Sequence, residues 1–278
     1  MRQYGLIGKS LSHSFSKAYF EEKFRQEGLG GHVYDLFELP DIGMLPDFIF
    51  SKPELCGFNV TIPFKRSIIP FLDELSPEAT AIGAVNVVER VHGVHGVKRV
   101  HGVHEVHEVK GVNEVNGVQR VKGENGVWLK GYNTDAEGFA MSLEGVELPG
   151  RALVLGTGGA ASAVGFVLRQ RGIPFLQVSR ATGQGDLTYA AVTGQILRDY
   201  PLVVNCTPVG TLGEPQRLLP LPYEALTSEH YLYDLVYNPD ITPFLREGLQ
   251  RGARVQNGLK MLHLQAEAAW RIWNSLEE

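Results

Sequence analysis

Two cysteines in 278 residues, Cys56 and Cys206, are too few and too far apart for a disulfide framework. The chain is therefore expected to fold on its core alone, in a reducing cytoplasm. Both cysteines sit in apolar, strand-like surroundings and are read as buried and inert. No apolar run nears the ~18 residues that cross a bilayer. Residues 1–8 read as a first strand, with neither an apolar signal core nor a cleavage site. An excess of positive charge is also missing, since the net charge is −5 and the isoelectric point about 6.0. That removes the electrostatic case for nucleic acid or an anionic membrane surface as a partner. What is present is 44% hydrophobic and 21% charged, in a chain long enough for two domains.

The N-terminal half reads as α/β. A strand over residues 4–8 leads into the polar loop Lys9-Ser10-Leu11-Ser12-His13-Ser14-Phe15-Ser16. A helix over 17–26 follows, with Ala18, Tyr19, Phe20 and Phe24 at helical spacing and Gly28 as its stop. Ser14 and Ser16 have two readings. One of them caps the helix, or both aim hydroxyls at a carboxylate over its N-terminus. A second strand covers 32–39, and Leu55-Cys56-Gly57-Phe58 is a short buried strand running into Asn59-Val60-Thr61-Ile62-Pro63-Phe64-Lys65. Pro63 suits a first helical turn. Asn59, Thr61 and Lys65 then stand at the carboxyl edge of a sheet, where open α/β folds bind ligands. By itself the segment is equally a capped strand with a solvated lysine. Ser76 and Pro77 start another helix. Asn86, set among Ala84, Val85, Val87 and Val88, is an amide in apolar company, tied to backbone or aimed at a ligand.

From Val91 to Val121 a valine stands at every third residue, with Gly, His, Glu, Asn, Lys and Arg between. A period of three gives neither a strand nor a helix one continuous apolar face. The segment, about 90–124, is expected to be a low-complexity, largely mobile loop insertion between two strands, with a long hairpin as the alternative. Its histidines, His92, His95, His101, His104 and His107, have no thiol or carboxylate spaced to complete a shell, so no metal site is assigned.

Beyond it, residues 128–132 close a hairpin, and Asn133 or Thr134 can cap a helix over 136–143. Asp135 then lies in the positive field of that helix start. A buried strand over 151–155 runs directly into Gly156-Thr157-Gly158-Gly159-Ala160-Ala161 and an apolar helix. This is the Gly-x-Gly-x-x-Ala turn of a dinucleotide-binding fold. Gly156 makes the turn, Gly158 lets backbone approach pyrophosphate, and Ala161 packs helix on strand. The next strand ends at Ser179-Arg180, where a guanidinium suits a 2′-phosphate and hence NADP. Further buried strands end in Asn205-Cys206-Thr207-Pro208 and in Leu235-Val236-Tyr237-Asn238-Pro239, loops placed to line a nicotinamide. Asn257-Gly258 opens a long helix whose apolar stripe is core. Gln265 falls among those residues and needs a polar partner.

Ser14-Phe15-Ser16, the segment 59–65, Gly83-Ala84-Val85-Asn86, Asn133-Thr134-Asp135, the segment 156–161, Asn205-Cys206-Thr207-Pro208 and Asn257 to Met261 with Gln265 together resemble the shikimate dehydrogenases. The match runs in order over almost the whole chain. It implies reversible reduction of the small-molecule substrate 3-dehydroshikimate to shikimate with NADPH, toward the aromatic amino acids. The implied architecture is an α/β substrate-binding domain, 1–134 completed by the helix 258–278, and a Rossmann domain, 135–257, with a cleft between them. Lys65 and Asp135 are implied as the catalytic pair. Ser14 and Ser16 would hold the substrate carboxylate, and Asn59, Thr61, Asn86 and Gln265 its hydroxyls, with Tyr237 close by. The cofactor set implied is Gly156, Gly158, Gly159, Ala160 and Ala161, then Ser179 and Arg180, then Asn205, Thr207, Gly258 and Met261.

The chain departs from the family in the insertion, in Val87 after Asn86, and in Ala136 after Asp135. Since the insertion falls between Asn86 and Asp135, it is expected to threaten both. Two other readings remain: a relative that oxidises quinate or uses NAD, and a ligand sensor without catalysis. The expected assembly is a monomer or homodimer.

Overall fold

The computed structural model describes residues 1–11, 14–92, 112–115, 118–121, 127–213 and 218–274. The chain forms two compact units, Met1–Asn133 with Ala269–Glu278, and Thr134–Ala268.

In the first unit the strands are β1 (Arg2–Gly8), β2 (His32–Glu38), β3 (Leu55–Val60), β4 (Glu74–Leu75), β5 (Val87–His92) and, after two short strands described below, β8 (Val127–Tyr132). Its sheet order is β2-β1-β3-β5-β8-β4. β1 pairs in parallel with both β2 and β3, while β5 is antiparallel to β3 and β8. The helices are α1 (Ser16–Gln26), α2 (Leu45–Ser51), α3 (Phe64–Ser67) and α4 (Pro77–Ile82). α4 starts as expected, with the Ser76 hydroxyl accepting the Ala79 N–H at 3.1 Å and Pro77 at the first position. Gly28, at φ +69°, follows the end of α1 in the left-handed conformation that favours glycine. Pro63 sits one place ahead of its expected position, at the cap of α3, after a cis Ile62–Pro63 bond.

One face of this sheet carries an aromatic cluster. Phe20 and Phe24, one helical turn apart on α1, are buried with Tyr4, Tyr34 and Trp273. Tyr4 stacks on Trp273 at 4.9 Å and Phe20 on Tyr34 at 4.5 Å. Trp273 also donates its indole N–H to the Val88 carbonyl at 3.1 Å. These contacts explain why the chain's last helical turns count with its first unit.

Two short segments of the insertion are strands, the element type of the hairpin alternative. Val112–Val115 and Val118–Val121 form β6 and β7, an antiparallel pair with Val112 opposite Val121 and Val115 opposite Val118. The rest of the insertion reading lies outside the described residues.

The second unit is a parallel sheet of β9 (Ala152–Leu155), β10 (Phe175–Ser179), β11 (Leu187–Thr188), β12 (Leu202–Asn205), β13 (Tyr231–Asp234) and β14 (Arg254–Gln256). Its order is β11-β10-β9-β12-β13-β14, the doubly wound arrangement of a dinucleotide-binding fold. Every residue of β9, β12 and β13 is buried, as near-continuous apolar runs require of a sheet covered on both faces. The helices are α5 (Thr134–Ser142), α6 (Gly159–Gln170), α7 (Gly194–Asp199), α8 (Pro243–Leu249) and α9 (Leu259–Asn274). No helix among the described residues is long and apolar enough to cross a membrane.

Gly57 tests the aromatic packing, since a Cβ there would stand 2.5 Å from Trp273 Cδ1. Gly57→Ala is expected to lower stability by about 1–3 kcal/mol, the cost of overfilling a packed site. Urea unfolding of the variant beside the parent measures it.

Candidate functional site

In the first unit, strand order reverses at β1, which has β2 on one side and β3 on the other. Crevices at such points, outside the carboxyl ends of the strands, are where open α/β sheets take ligands. The loop after β1 brings Ser14 and Ser16 there, and the end of β3 brings Asn59 and then Thr61. The two segments abut. The Thr61 N–H donates to the Ile7 carbonyl at 2.9 Å, and a Cβ on Gly8 would meet Thr61 Cγ2 at 2.6 Å. Neither serine caps α1. Phe15 occupies the cap position with no side-chain bond, and Ser14 Oγ instead accepts the Ser16 N–H at 3.3 Å.

Asn59 and Asn86 are buried. The Asn86 carbonyl accepts the Val60 N–H at 2.9 Å and Asn59 Nδ2 at 3.3 Å, and the Asn86 N–H donates to the Tyr132 carbonyl at 3.0 Å. The Val85 N–H donates to the Lys65 carbonyl at 2.7 Å. Backbone bonds therefore hold Asn59, half-buried Lys65 and Asn86 in one piece. Asn86 lies just before β5 rather than inside a strand. It is at the end of the β5–β8 hairpin where Val87 faces Tyr132, whereas the insertion leaves from the other end, where His92 faces Val127. Five residues at about 3.4 Å each separate the two ends by ~17 Å. The insertion therefore leaves the hairpin at the end away from Asn86, and the course of most of its residues lies outside the described residues.

Tyr34 was missed by sequence reasoning. Its phenol is buried, donates to Asn59 Oδ1 at 2.7 Å and hydrogen-bonds the Ser16 hydroxyl. Burial pushes its ionisation far above the usual tyrosine range, so it stays protonated. With Oδ1 held by Tyr34, the Asn59 amide is fixed with Nδ2 toward Asn86. The signal available was a tyrosine in an apolar strand, since a buried phenol needs a partner.

In the second unit, strand order reverses at β9, and the loops after β9 and β12 meet. Gly156 has φ +109°, and a Cβ there would stand 3.1 Å from Thr207 Cγ2. Only glycine suits that turn. Gly158 caps α6 without a side-chain bond, and nothing lies within 4 Å of where its Cβ would be. Gly159 and Ala160 begin α6, and Ala161 is fully buried beneath it. An open glycine cap on a twelve-residue helix fits a pyrophosphate, so a dinucleotide suits the residues present. Ser179 is buried and its hydroxyl donates to the Ala181 carbonyl, while Arg180 is exposed at the end of β10.

Asn205 is fully buried and its amide is occupied within the protein. Nδ2 donates to Asp234 Oδ1 at 2.8 Å and the Val209 carbonyl at 3.3 Å, while Oδ1 accepts from the Thr207 N–H at 2.9 Å and hydroxyl at 2.7 Å. It shapes the loop that presents Thr207 instead of facing outward. Burial raises the Asp234 carboxyl to about 6, against bonds from Thr242, Val236 and Asn205 that pull it down. Half-buried Tyr237 follows β13, and the Gly258 N–H donates to the Val236 carbonyl at 3.2 Å.

Asp135 is buried in the first turn of α5. α5 and α9 pack closely at Gly138, where a Cβ would meet the Met261 carbonyl at 2.8 Å and Gln265 Cβ at 2.9 Å. Gln265 finds the partners it needs, the Leu262 carbonyl at 3.0 Å and the Thr134 hydroxyl at 3.5 Å. Both cysteines are half-buried rather than fully buried. Desolvation of the Cys206 sulfur, with Asp234 and Asp135 nearby, pushes its thiol well above the usual value, which keeps it protonated and unreactive. Among the described residues no cluster could hold a metal; the histidine side chains of the repeat lie outside them.

A family model described as the shikimate dehydrogenase substrate binding domain matches residues 6–88. Over the full chain, similar curated proteins include one named shikimate dehydrogenase (NADP(+)) from Thermus thermophilus, 36% identical, covering 99% of this chain and 94% of that one. Among solved structures, a shikimate dehydrogenase from Aquifex aeolicus superposes with a TM-score of 0.76 at 28% identity, covering 99% and 93%. A Thermus thermophilus enzyme in complex with NADP(H) and shikimate gives 0.75 at 32%, covering 99% and 94%.

Tyr34→Phe leaves Asn59 Oδ1 buried without its donor. A loss of roughly 1–3 kcal/mol in unfolding free energy is expected, measured by denaturant titration.

Proposed function

The chain belongs to the shikimate dehydrogenase family, and from that premise we propose that it catalyses the reversible NADPH-dependent reduction of 3-dehydroshikimate to shikimate, toward the aromatic amino acids. The observation that carries the reading is the locked group at the switch point of the first sheet. There the Asn86 carbonyl holds Asn59 Nδ2 and the Val60 N–H, and the adjoining Val85 N–H holds the Lys65 carbonyl, beside Thr61. This is an arrangement for a polyhydroxylated ring with a reacting oxygen.

Ser14 and Ser16 hold the substrate carboxylate, and Asn59, Thr61, Asn86 and Gln265 bind its hydroxyls, with Tyr237 beside them. Reducing the ketone requires hydride at carbon and a proton at oxygen. A bound NADPH would supply the hydride. Lys65 gives its Nζ proton to the carbonyl oxygen as that oxygen becomes a hydroxyl, and takes it back in the oxidative direction. Asp135 completes the catalytic pair by orienting the Lys65 ammonium toward that oxygen. Gly156 to Ala161 cradle the pyrophosphate, while Arg180 pairs with the 2′-phosphate. Ser179, Thr207, Gly258 and Met261 complete the cofactor wall, and Asn205 supports it through Thr207. The protein works in the cytoplasm as a monomer or homodimer, without nucleic acid or membrane.

Lys65→Ala is expected to lower kcat by roughly 10³-fold, within the range of general acid–base catalysis, with shikimate binding largely intact. Steady-state kinetics with near-normal kcat would sink the assignment. Arg180→Ala removes a charge-assisted contact of about 1.5–3 kcal/mol, so KM for NADP⁺ is expected to rise about tenfold or more. KM for NAD⁺ should stay put in the same assay.

A further inference from the structure

We propose that Asp234 is a positioning residue for the cofactor half of the reaction, a clamp that sets the loop after β12 against the loop after β13. This rests on the proposed function, in which Thr207, after β12, and Gly258, tied to Val236 after β13, belong to the cofactor wall. Three donors from three segments converge on one fully buried carboxylate. Oδ1 accepts from Asn205 Nδ2 at 2.8 Å and from the Val236 N–H at 3.0 Å, and Oδ2 accepts from the Thr242 hydroxyl at 2.6 Å. Each donor leads onward. Asn205 passes the constraint to the Thr207 N–H and hydroxyl, and Thr207 Oγ1 in turn accepts the Val209 N–H at 3.3 Å. Val236 accepts the Gly258 N–H and so fixes the entry to α9, where a Cβ on Gly258 would stand 2.7 Å from the Leu235 carbonyl carbon. Thr242 caps α8 by accepting the Leu245 N–H at 3.3 Å. Asp234 itself needs no contact with the ligand to set the cofactor wall, through Thr207 on one side and Gly258 on the other.

An amide of the same shape can keep this pattern. In Asp234→Asn, Oδ1 still accepts from Asn205 and Val236. The new NH₂ donates to Thr242 Oγ1, because a hydroxyl both donates and accepts. Asp234→Ala cannot. Losing charge-assisted bonds of about 1.5–3 kcal/mol corresponds to roughly tenfold or more.

The test measures NADP⁺ affinity by fluorescence titration and KM for NADP⁺ and shikimate in the full chain and its variants. Asp234→Ala is expected to weaken NADP⁺ binding and raise its KM about tenfold or more, with KM for shikimate within about twofold and Asp234→Asn near the parent. If the alanine variant does not fold, Thr242→Val, which removes the donor to Oδ2, is read the same way with a smaller rise. A folded Asp234→Ala or Thr242→Val with parental NADP⁺ affinity overturns the clamp. So does an asparagine variant as impaired as the alanine one, or an equal rise in both KM values. A parent chain that binds no NADP⁺ overturns the functional reading itself, and the clamp as a cofactor device falls with it.

Discussion

Burying an amide or a carboxylate without partners costs roughly 1–3 kcal/mol or more per group, and both units bury such groups beside the carboxyl ends of their parallel strands. Asn59 and Asn86 in one, Asn205 and Asp234 in the other, are all nearly or fully inaccessible. Asn59, Asn205 and Asp234 are answered by partners within their own units. Tyr34 and the Asn86 carbonyl hold Asn59, while Asn205, Val236 and Thr242 converge on Asp234. These bonds fix the loops around them, so the functional side chains need little further ordering when a ligand arrives.

The same constraint explains how the chain carries a long insertion. Asn86 and Asn133 are fastened at one end of an antiparallel hairpin, with the Asn133 amide donating to the Ala84 carbonyl at 2.9 Å. The extra residues enter at the other end. Lengthening a connection at a hairpin tip adds a loop-closure cost that grows only logarithmically with length.

Much of this was legible in the residues. Gly156-Thr157-Gly158 announced its turn because only glycine suits φ +109°, and the buried strands over 202–205 and 231–234 announced themselves as unbroken apolar runs ending in a polar residue. What stayed hidden depends on contacts between segments distant in sequence. Tyr34 looked like one more strand residue until its hydroxyl was seen on Asn59, 25 positions away. Asn205 read as a cofactor ligand, and only the fold shows its amide bound to Asp234. The step of three in the valine repeat matched no regular element, yet it pairs valine with valine across β6 and β7.

The most direct measurement is the initial rate of NADP⁺ reduction by the purified full chain, with shikimate and with quinate, each repeated with NAD⁺. The account predicts the highest kcat/KM for shikimate with NADP⁺. A folded protein that reduces no NADP⁺ at high shikimate concentration, or that prefers quinate or NAD⁺, would contradict it.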